Sequence, residues 1–244
     1  MKRKHMSAVP AVLITLSSWS HVAQAGLPEW TSGHGDIGIA YHDGEWDLHI
    51  HSEGAVIGGV TYIDDEFDSG GVRIRVPEQM LTARPVDSGW NPIGVGAGSS
   101  FWLLPQTEVV GVPFVGIGTE EIAPGEFVGD SINLRLTGVT SPSGLGTFSV
   151  FQTDLFGQPN FFMSSADGID LGDVLTLHAA GHIHVNFGFS EPGLWAITWE
   201  ASGLHVSDGL VMGAATYYFN VIPEPSTAVL LMLSITAVFR RRVR

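Results

Sequence analysis

Two short stretches of the sequence carry histidines at alternate positions. His182 and His184 lie in GHIHVNFGFS, and His49 and His51 lie in DLHIH. Alternate side chains of a β-strand point to the same face, so each pair presents two imidazoles together, and Asn186 extends the first polar face. Two imidazoles at this spacing can both point at one divalent transition-metal ion. The spacing therefore predicts metal binding, and Zn²⁺ is the expected ion.

The second pair lies in a predicted β-hairpin whose register follows from its turn. An Asp-Gly pair at positions 43–44 is typical of a type I′ turn and is flanked by alternating apolar residues. With these two residues as the loop, Asp36 pairs with His51, and Gly38 pairs with His49. The glycine opposite His49 leaves open space over the sheet at that point.

The polar face of this hairpin gathers the candidate ligands. His34 lies diagonal to His51, and cross-strand neighbours on one face have Cβ atoms about 5 to 8 Å apart. Asp36 is either a ligand or the acceptor that fixes the tautomer of His51. His182 and His184 complete this site if their strand pairs with or faces the hairpin, and otherwise form a second site. The predicted metal ligands are His34, Asp36, His49, His51, His182 and His184.

A simpler interpretation of these histidines stays open. Imidazoles on a half-wet sheet face also form hydrogen bonds with carboxylates or water, as single histidines usually do. Five of the eight histidines between residues 26 and 222 belong to the predicted set, and this concentration favours a metal site.

The composition of residues 26–222 excludes several classes of function. This segment holds 24 acidic and four basic residues, for a formal charge of −20. Such a charge argues against binding to nucleic acid or to anionic lipid. The chain has no cysteine, so any metal site must use His, Asp, Glu or backbone oxygen, and a disulfide scaffold is excluded.

The pattern of residues 26–222 predicts an all-β fold. Helical periodicity is nearly absent, and short alternating segments are separated by Gly, Pro and Asp-Gly turns. We expect one antiparallel β-sandwich or jelly-roll-like domain over 26–222, with loops at 54–70 and 77–99. The predicted strands are 36–41, 45–51, 71–76, 100–105, 131–139, 146–153, 173–179, 182–189, 193–203 and 214–221.

The N-terminal segment has the composition of a secretory signal peptide. Basic residues at 2–4 precede a short apolar run, and Ala23-Gln24-Ala25 forms a small-x-small cleavage site. The apolar run is too short to span a bilayer. We therefore expect signal peptidase to remove residues 1–25 during export.

The last segment, 223–244, has three successive parts. The motif Pro223-Glu224-Pro225 precedes a 14-residue apolar run, and a cluster of arginines follows it. Fourteen helical residues span about 21 Å, less than a bilayer core, but flanking arginines can reach the interface. The membrane-flanking residues are Arg240, Arg241 and Arg242.

This tail resembles the PEP-CTERM sorting signal. The resemblance implies handling by an exosortase in a Gram-negative bacterium that makes exopolysaccharide. It also implies that the C-terminal helix is a transient inner-membrane anchor and the protein's only contact with a membrane. The expected location of the mature protein is the cell surface or the extracellular matrix, including a biofilm matrix.

Four further blocks resemble the choice-of-anchor M domain, and the last of them also resembles a repeat of actinobacterial surface-anchored proteins associated with an ABC transporter. That resemblance implies a surface domain whose associated transporters are similar to metal-uptake systems, and it supplies no functional residues. The sequence departs from the commonest form at Phe187, where Trp is frequent. The blocks are TSGHGDIGIAYHDGEWDLHIH, FWLLPQTEVVGVPFVGIGTEEI, FSVFQTDLFGQP and GHIHVNFGFSEPGLWAITWEASG.

Catalysis is not expected, and one alternative function stays open. The sequence has no GxSxG element and no HExxH motif, so we predict that the protein is not an enzyme. The alternative is an exopolysaccharide-binding module that stacks sugar rings on surface aromatics. Its candidate residues are Trp90, Trp102, Trp195 and Trp199.

Overall fold

Strands account for most of the chain that the computed structural model describes, residues 26–223. Three short 3₁₀ helices accompany them, at Glu78–Met80, Ser88–Ile93 and Val128–Asp130. No helix within 26–223 is long and apolar enough to cross a membrane. The predicted signal peptide and the sorting signal beyond Pro223 lie outside the described residues. The strands are β1 (Glu29–His42), β2 (Glu45–Ile57), β3 (Val60–Asp68), β4 (Arg73–Val76), β5 (Leu81–Ala83), β6 (Ser100–Leu104), β7 (Pro113–Gly118), β8 (Ser131–Thr140), β9 (Phe148–Thr153), β10 (Pro159–Ser164), β11 (Val174–His178), β12 (His182–His184), β13 (Asn186–Phe189), β14 (Gly193–His205) and β15 (Gly209–Val221).

The strands form two sheets. The larger sheet has the order β11-β8-β14-β15-β4-β1-β2-β3, with β7 also paired to β1 and β12 paired to β7. The smaller sheet has the order β10-β9-β13-β6-β5. The prediction of an all-β, sandwich-like fold is therefore confirmed. The sheets are not antiparallel throughout, because β1 pairs in parallel with β4 and β7, and β4 pairs in parallel with β15.

Aromatic side chains from both sheets meet in one core. Phe187 of β13 faces Trp199 of β14 and Phe219 of β15, and Phe189 of β13 faces Phe219 as well, with ring centroids 5.1 to 6.3 Å apart. All four side chains are fully buried. Burial of such large apolar surfaces dominates the free energy of folding, so these contacts hold the two sheets together.

The register predicted for the first hairpin is confirmed. The turn residues Asp43 and Gly44 both have positive φ, 53° and 88°, as a type I′ turn requires. Asp36 lies opposite His51, as predicted. Gly38 lies opposite His49. The apolar partners of β1 and β2 consequently share the core face, and the polar partners share the opposite face.

The predicted strand 182–189 is divided between the two sheets. Residues 182–184 belong to β12 in the larger sheet, and the chain crosses at Val185 to β13 in the smaller sheet. Asn186 is consequently buried, accepts a hydrogen bond from the Gln106 backbone and donates another to the Gln106 side chain. It does not extend the histidine face, contrary to the prediction.

Four strands were not predicted, and two of them position the histidines. β3 lies within the predicted loop 54–70, because its acidic side chains hide the alternation expected of a strand. β7 has the sequence PFVGIG, in which glycines take every second position near its end. Aspartate and glycine are both depleted in strands, so neither segment has the composition of a sheet strand.

We expect Phe219→Ala to destabilise the protein by about 3–5 kcal/mol, because it removes a buried ring shared by both sheets. The matched control is Phe156→Ala, a ring that is 88% exposed and whose loss should change the stability by less than about 0.5 kcal/mol. Chemical denaturation of the purified proteins measures both. Similar midpoints for the two variants would contradict the proposed inter-sheet core.

Candidate metal centre

The polar face of the larger sheet depends on β7, which lies between β1 and β12. Asp36 and His184 both pair with Gly116, from opposite sides, and His182 pairs with Gly118. The two outer strands are two strand spacings apart, about 9.6 Å. Because Gly116 has no side chain, Asp36 and His182 reach towards each other across it. His182 Nε2 lies 3.2 Å from Asp36 Oδ1.

His34 approaches the same carboxylate from two residues earlier on β1. Its Nε2 lies 3.6 Å from Asp36 Oδ1. Ligands in a tetrahedral zinc site, with bonds of about 2.0 Å, are about 3.3 Å apart. One ring nitrogen from each of His34, His182 and His184 lies within 4.8 Å of the others. The three imidazoles thus form one possible ligand group. Asp36 belongs to two further groups, which share His34 or His182 with the first and each include a glutamate.

Contacts of the Nδ1 atoms orient the rings of His34 and His184. His34 Nδ1 lies 2.6 Å from Glu53 Oε2, and His184 Nδ1–H donates to the Val115 carbonyl at 3.3 Å. The His184 ring also stacks on Phe114, with centroids 3.7 Å apart and planes only 4° from parallel. The Val115 carbonyl can only accept, so His184 keeps a free lone pair on Nε2, the state that a metal ligand needs. The Glu53 carboxylate favours the same tautomer in His34.

His182 is oriented more loosely. Its Nδ1 lies 3.6 Å from Glu120 Oε1, on the turn that follows β7. Burial, together with the neighbouring His182, lowers the pKa of His184 to about 4. His184 is consequently a neutral imidazole at neutral pH, which is the form that binds metal ions.

Asp36 is a buried carboxylate on this face that lacks the hydrogen bonds such groups normally form. Its residue is 1% exposed, and both carboxylate oxygens are buried without a hydrogen-bond partner among residues 26–223, as is His34 Nε2. Burial raises the pKa of Asp36, and the facing His182 and His34 oppose that rise. Buried carboxylates are normally hydrogen-bonded, so this arrangement is costly unless a cation occupies the space between the three groups.

The Asp36 centre, which we define as His34, Asp36, His182 and His184, is reachable from solvent. The side chains of His34 and His182 are each 25% exposed, whereas that of Asp36 is 2% exposed. An ion at this position would thus be held by a buried carboxylate and covered by imidazoles that are one quarter exposed.

The two histidines of β2 lie apart from the Asp36 centre. His49 approaches Glu66 of β3 and Glu121 of the turn after β7, and one ligand atom from each lies within 4.8 Å of the others. His51 accompanies Asp64 instead, with Nε2 3.2 Å from a carboxylate oxygen. Burial lowers the pKa of His51, but the hydrogen bond with Asp64 and nearby carboxylates outweigh it, so the pKa is raised.

The structure therefore brings together four of the six predicted ligands. His34, Asp36, His182 and His184 belong to overlapping ligand groups, which together make up the Asp36 centre. The strand of His182 and His184 does not pair with the hairpin directly, because β7 lies between them. His49 lies in a second group, and His51 lies outside both groups. Asp36 faces His34 and His182, so it does not set the tautomer of His51.

Sequence reasoning missed the four glutamates that accompany these ligands. Glu53 follows His49 and His51 at the same parity along β2, so an extended alternation would have found it. The other three depend on strands or turns that the pattern did not indicate. These glutamates are Glu53 and Glu120 beside the Asp36 centre, and Glu66 and Glu121 beside His49.

The aromatic residues of the alternative function are mostly core residues. Trp195 and Trp199 are fully buried, and Trp102 is 8% exposed. Trp90 is partly exposed, and its ring meets Phe151 edge to face. An exposed pair of parallel tryptophan rings is not formed by these four residues.

Comparison of the chain with protein-family models, curated proteins and solved structures gave no match. The geometry of the polar face is consequently the basis for assigning a function.

We expect Gly116→Ala to abolish Zn²⁺ binding at the Asp36 centre. A Cβ at this position would lie closer than 3.0 Å to both Asp36 Oδ1 and His182 Nε2, and would separate them. Gly118→Ala is the matched control, because its Cβ would meet Asp36 atoms at 3.6 to 3.8 Å, an ordinary contact. Calorimetric titration of both variants makes the comparison, and equal affinities would contradict the geometry.

We expect Asp36→Asn to leave the metal-free protein at least as stable as the parent, because it removes a buried charge that lacks hydrogen bonds. Asp173→Asn is the opposite case. Both Asp173 oxygens accept backbone N–H groups, from Ser164 and Asp170, so the variant should lose about 1–3 kcal/mol. Denaturation in the presence of a chelator tests the pair. A large loss of stability for Asp36→Asn would mean that its carboxylate is satisfied without metal.

Proposed function

We propose that this protein binds a divalent transition-metal ion, Zn²⁺ by the chemistry of its ligands, at His34, Asp36, His182 and His184. The role is binding and not catalysis. The observation that carries this proposal is the Asp36 carboxylate, which is buried without a hydrogen bond from any residue in 26–223 and faces two imidazole nitrogens at 3.2 and 3.6 Å.

The donor set supports a borderline metal. Three imidazoles and one carboxylate suit Zn²⁺, which prefers four-coordinate tetrahedral sites, and the chain has no thiolate to select a softer ion. Cu²⁺ and Ni²⁺ also bind imidazole but favour square-planar arrangements. The fixed tautomers of His34 and His184 reduce the reorganisation that binding would need.

The position of the ligands links metal binding to the fold. Two ligands come from β1 and two from β12, and β12 leads directly through Val185 into the smaller sheet. An ion at this point would tie the crossing segment to the first hairpin across β7. Binding would consequently stabilise the native state in proportion to the logarithm of the free metal concentration.

The location that we propose follows from the sequence signals. The protein would be exported through the signal peptide 1–25 and processed by an exosortase at the tail 223–244, reaching the cell surface or matrix as a choice-of-anchor M-like protein. An acidic protein with a metal site that solvent can reach is suited to binding metal ions outside the cell. The bound ion would either be passed to a metal-uptake system or stabilise the fold of this protein. Polysaccharide binding is the weaker candidate, because most of its tryptophans are buried.

Calorimetric titration with Zn²⁺ tests the proposed function. We expect sub-micromolar binding, and we expect His184→Ala to weaken the affinity by more than about 100-fold, beyond the 10–100-fold typical of groups that only orient a ligand. His178→Ala is the control, since His178 is exposed and belongs to none of the ligand groups. Binding no stronger than that of a generic acidic surface would contradict the proposal.

A thermal experiment tests the link to folding. With free Zn²⁺ at 100 times the Kd of the Asp36 centre, an ion at this centre should contribute about 2.7 kcal/mol of stability to the parent protein, and His184→Ala should lack that contribution at the same concentration. An equal rise of Tm in both proteins would place the stabilising ion elsewhere.

A further inference from the structure

A second group of potential ligands lies on the same sheet face and shares no residue with the first. The three ligand groups around Asp36 overlap in His34, Asp36 or His182, whereas His49, Glu66 and Glu121 form a separate group. His51 lies on β2 between these two groups but is engaged with Asp64. The face therefore holds two distinct centres.

His49 has the features of an unoccupied ligand more than those of a core histidine. It is 3% exposed, and both ring nitrogens are buried without a hydrogen-bond partner among the described residues. Its Nε2 lies 3.0 Å from Glu121 Oε1 but outside hydrogen-bond geometry, and its Nδ1 lies 3.7 Å from Asp47. The ring lies directly over Gly38, where any side chain would collide with it.

The two carboxylates reach His49 from neighbouring elements. Glu66 lies opposite His51 on β3, one diagonal step from His49. Glu121 lies on the turn after β7, and Thr119 fixes this turn by donating to the His178 carbonyl at 2.5 Å. The Thr119 backbone N–H also donates to the Gly181 carbonyl at 2.8 Å. The turn thus places Glu120 beside the Asp36 centre and Glu121 beside His49.

We infer that His49, Glu66 and Glu121 form a second divalent-cation site, richer in oxygen than the Asp36 centre. One imidazole and two carboxylates suit Mn²⁺ as well as Zn²⁺, because carboxylate oxygen is the ligand that harder cations prefer. This inference is independent of the proposed function, since the two sites have no ligand in common. Zn²⁺ fills both sites, and Mn²⁺ fills the second in preference to the first.

Titration of the full protein with Zn²⁺ and with Mn²⁺ tests the second site. We expect two Zn²⁺ ions per chain in the parent, one in Glu121→Gln, one in His184→Ala and none in the double variant. Glu66→Gln repeats the test at an exposed position in case Glu121→Gln folds poorly. The control is Glu45→Gln, an exposed carboxylate at the start of β2 that belongs to neither group and should leave two ions bound.

Electron paramagnetic resonance of Mn²⁺ distinguishes the two sites directly. We expect one bound Mn²⁺ in His184→Ala and none in Glu121→Gln. A protonated His49 paired with Glu121 would explain the same proximity without metal. In that case the parent binds one Zn²⁺, lost in His184→Ala and kept in Glu121→Gln, and the second site is refuted. One ion that is lost only in Glu121→Gln would instead refute the Asp36 centre and leave the second site standing.

Discussion

The pairing of β7 between β1 and β12 is the constraint on which the polar face depends. Without the intervening strand, His182 and His184 would have no defined position relative to the hairpin of β1 and β2. With β7 in place, β1 and β12 are two strand spacings apart. Gly116, on the strand between them, leaves room for side chains of β1 and β12 to approach each other. A larger residue at Gly116 would fill the space and turn the face into an ordinary half-wet sheet surface. Pairing register and residue size at one position thus create the centre.

The energetics of this face are opposite to those of the core beneath it. Below the sheet, interlocking aromatic rings stabilise the fold by burying apolar area. Above it, a carboxylate and several imidazole nitrogens are buried without partners, which costs free energy that the apolar core offsets. Proteins retain such unsatisfied groups where function needs them, because a ligand restores the missing interactions. A cation is the ligand that would satisfy carboxylate oxygens and imidazole lone pairs together.

Local rules of sequence were sufficient for the first hairpin and insufficient for what lies beside it. The two-residue type I′ turn determines which residues of β1 and β2 pair, because the residues on either side of it must face each other. The sequence therefore predicted correctly that Asp36 lies opposite His51. β7 could not be recognised, because its glycines satisfy a geometric need of the site and not a preference for strands. Glu120 and Glu121 were out of reach for the same reason, as their turn is positioned by contacts with residues 178–181 that are remote in sequence.

The acidic edge of the sheet has two explanations that differ in what they require of geometry. β3 is an edge strand, and charged side chains on such a strand discourage pairing with other chains. That role needs charge alone and is fulfilled by exposed residues such as Asp64 and Asp65 in any orientation. It does not account for a buried imidazole placed over a glycine and aimed at two carboxylates from different elements. The orientation of His49, more than the number of acidic residues, is therefore the feature that distinguishes a cation site from a solvated edge.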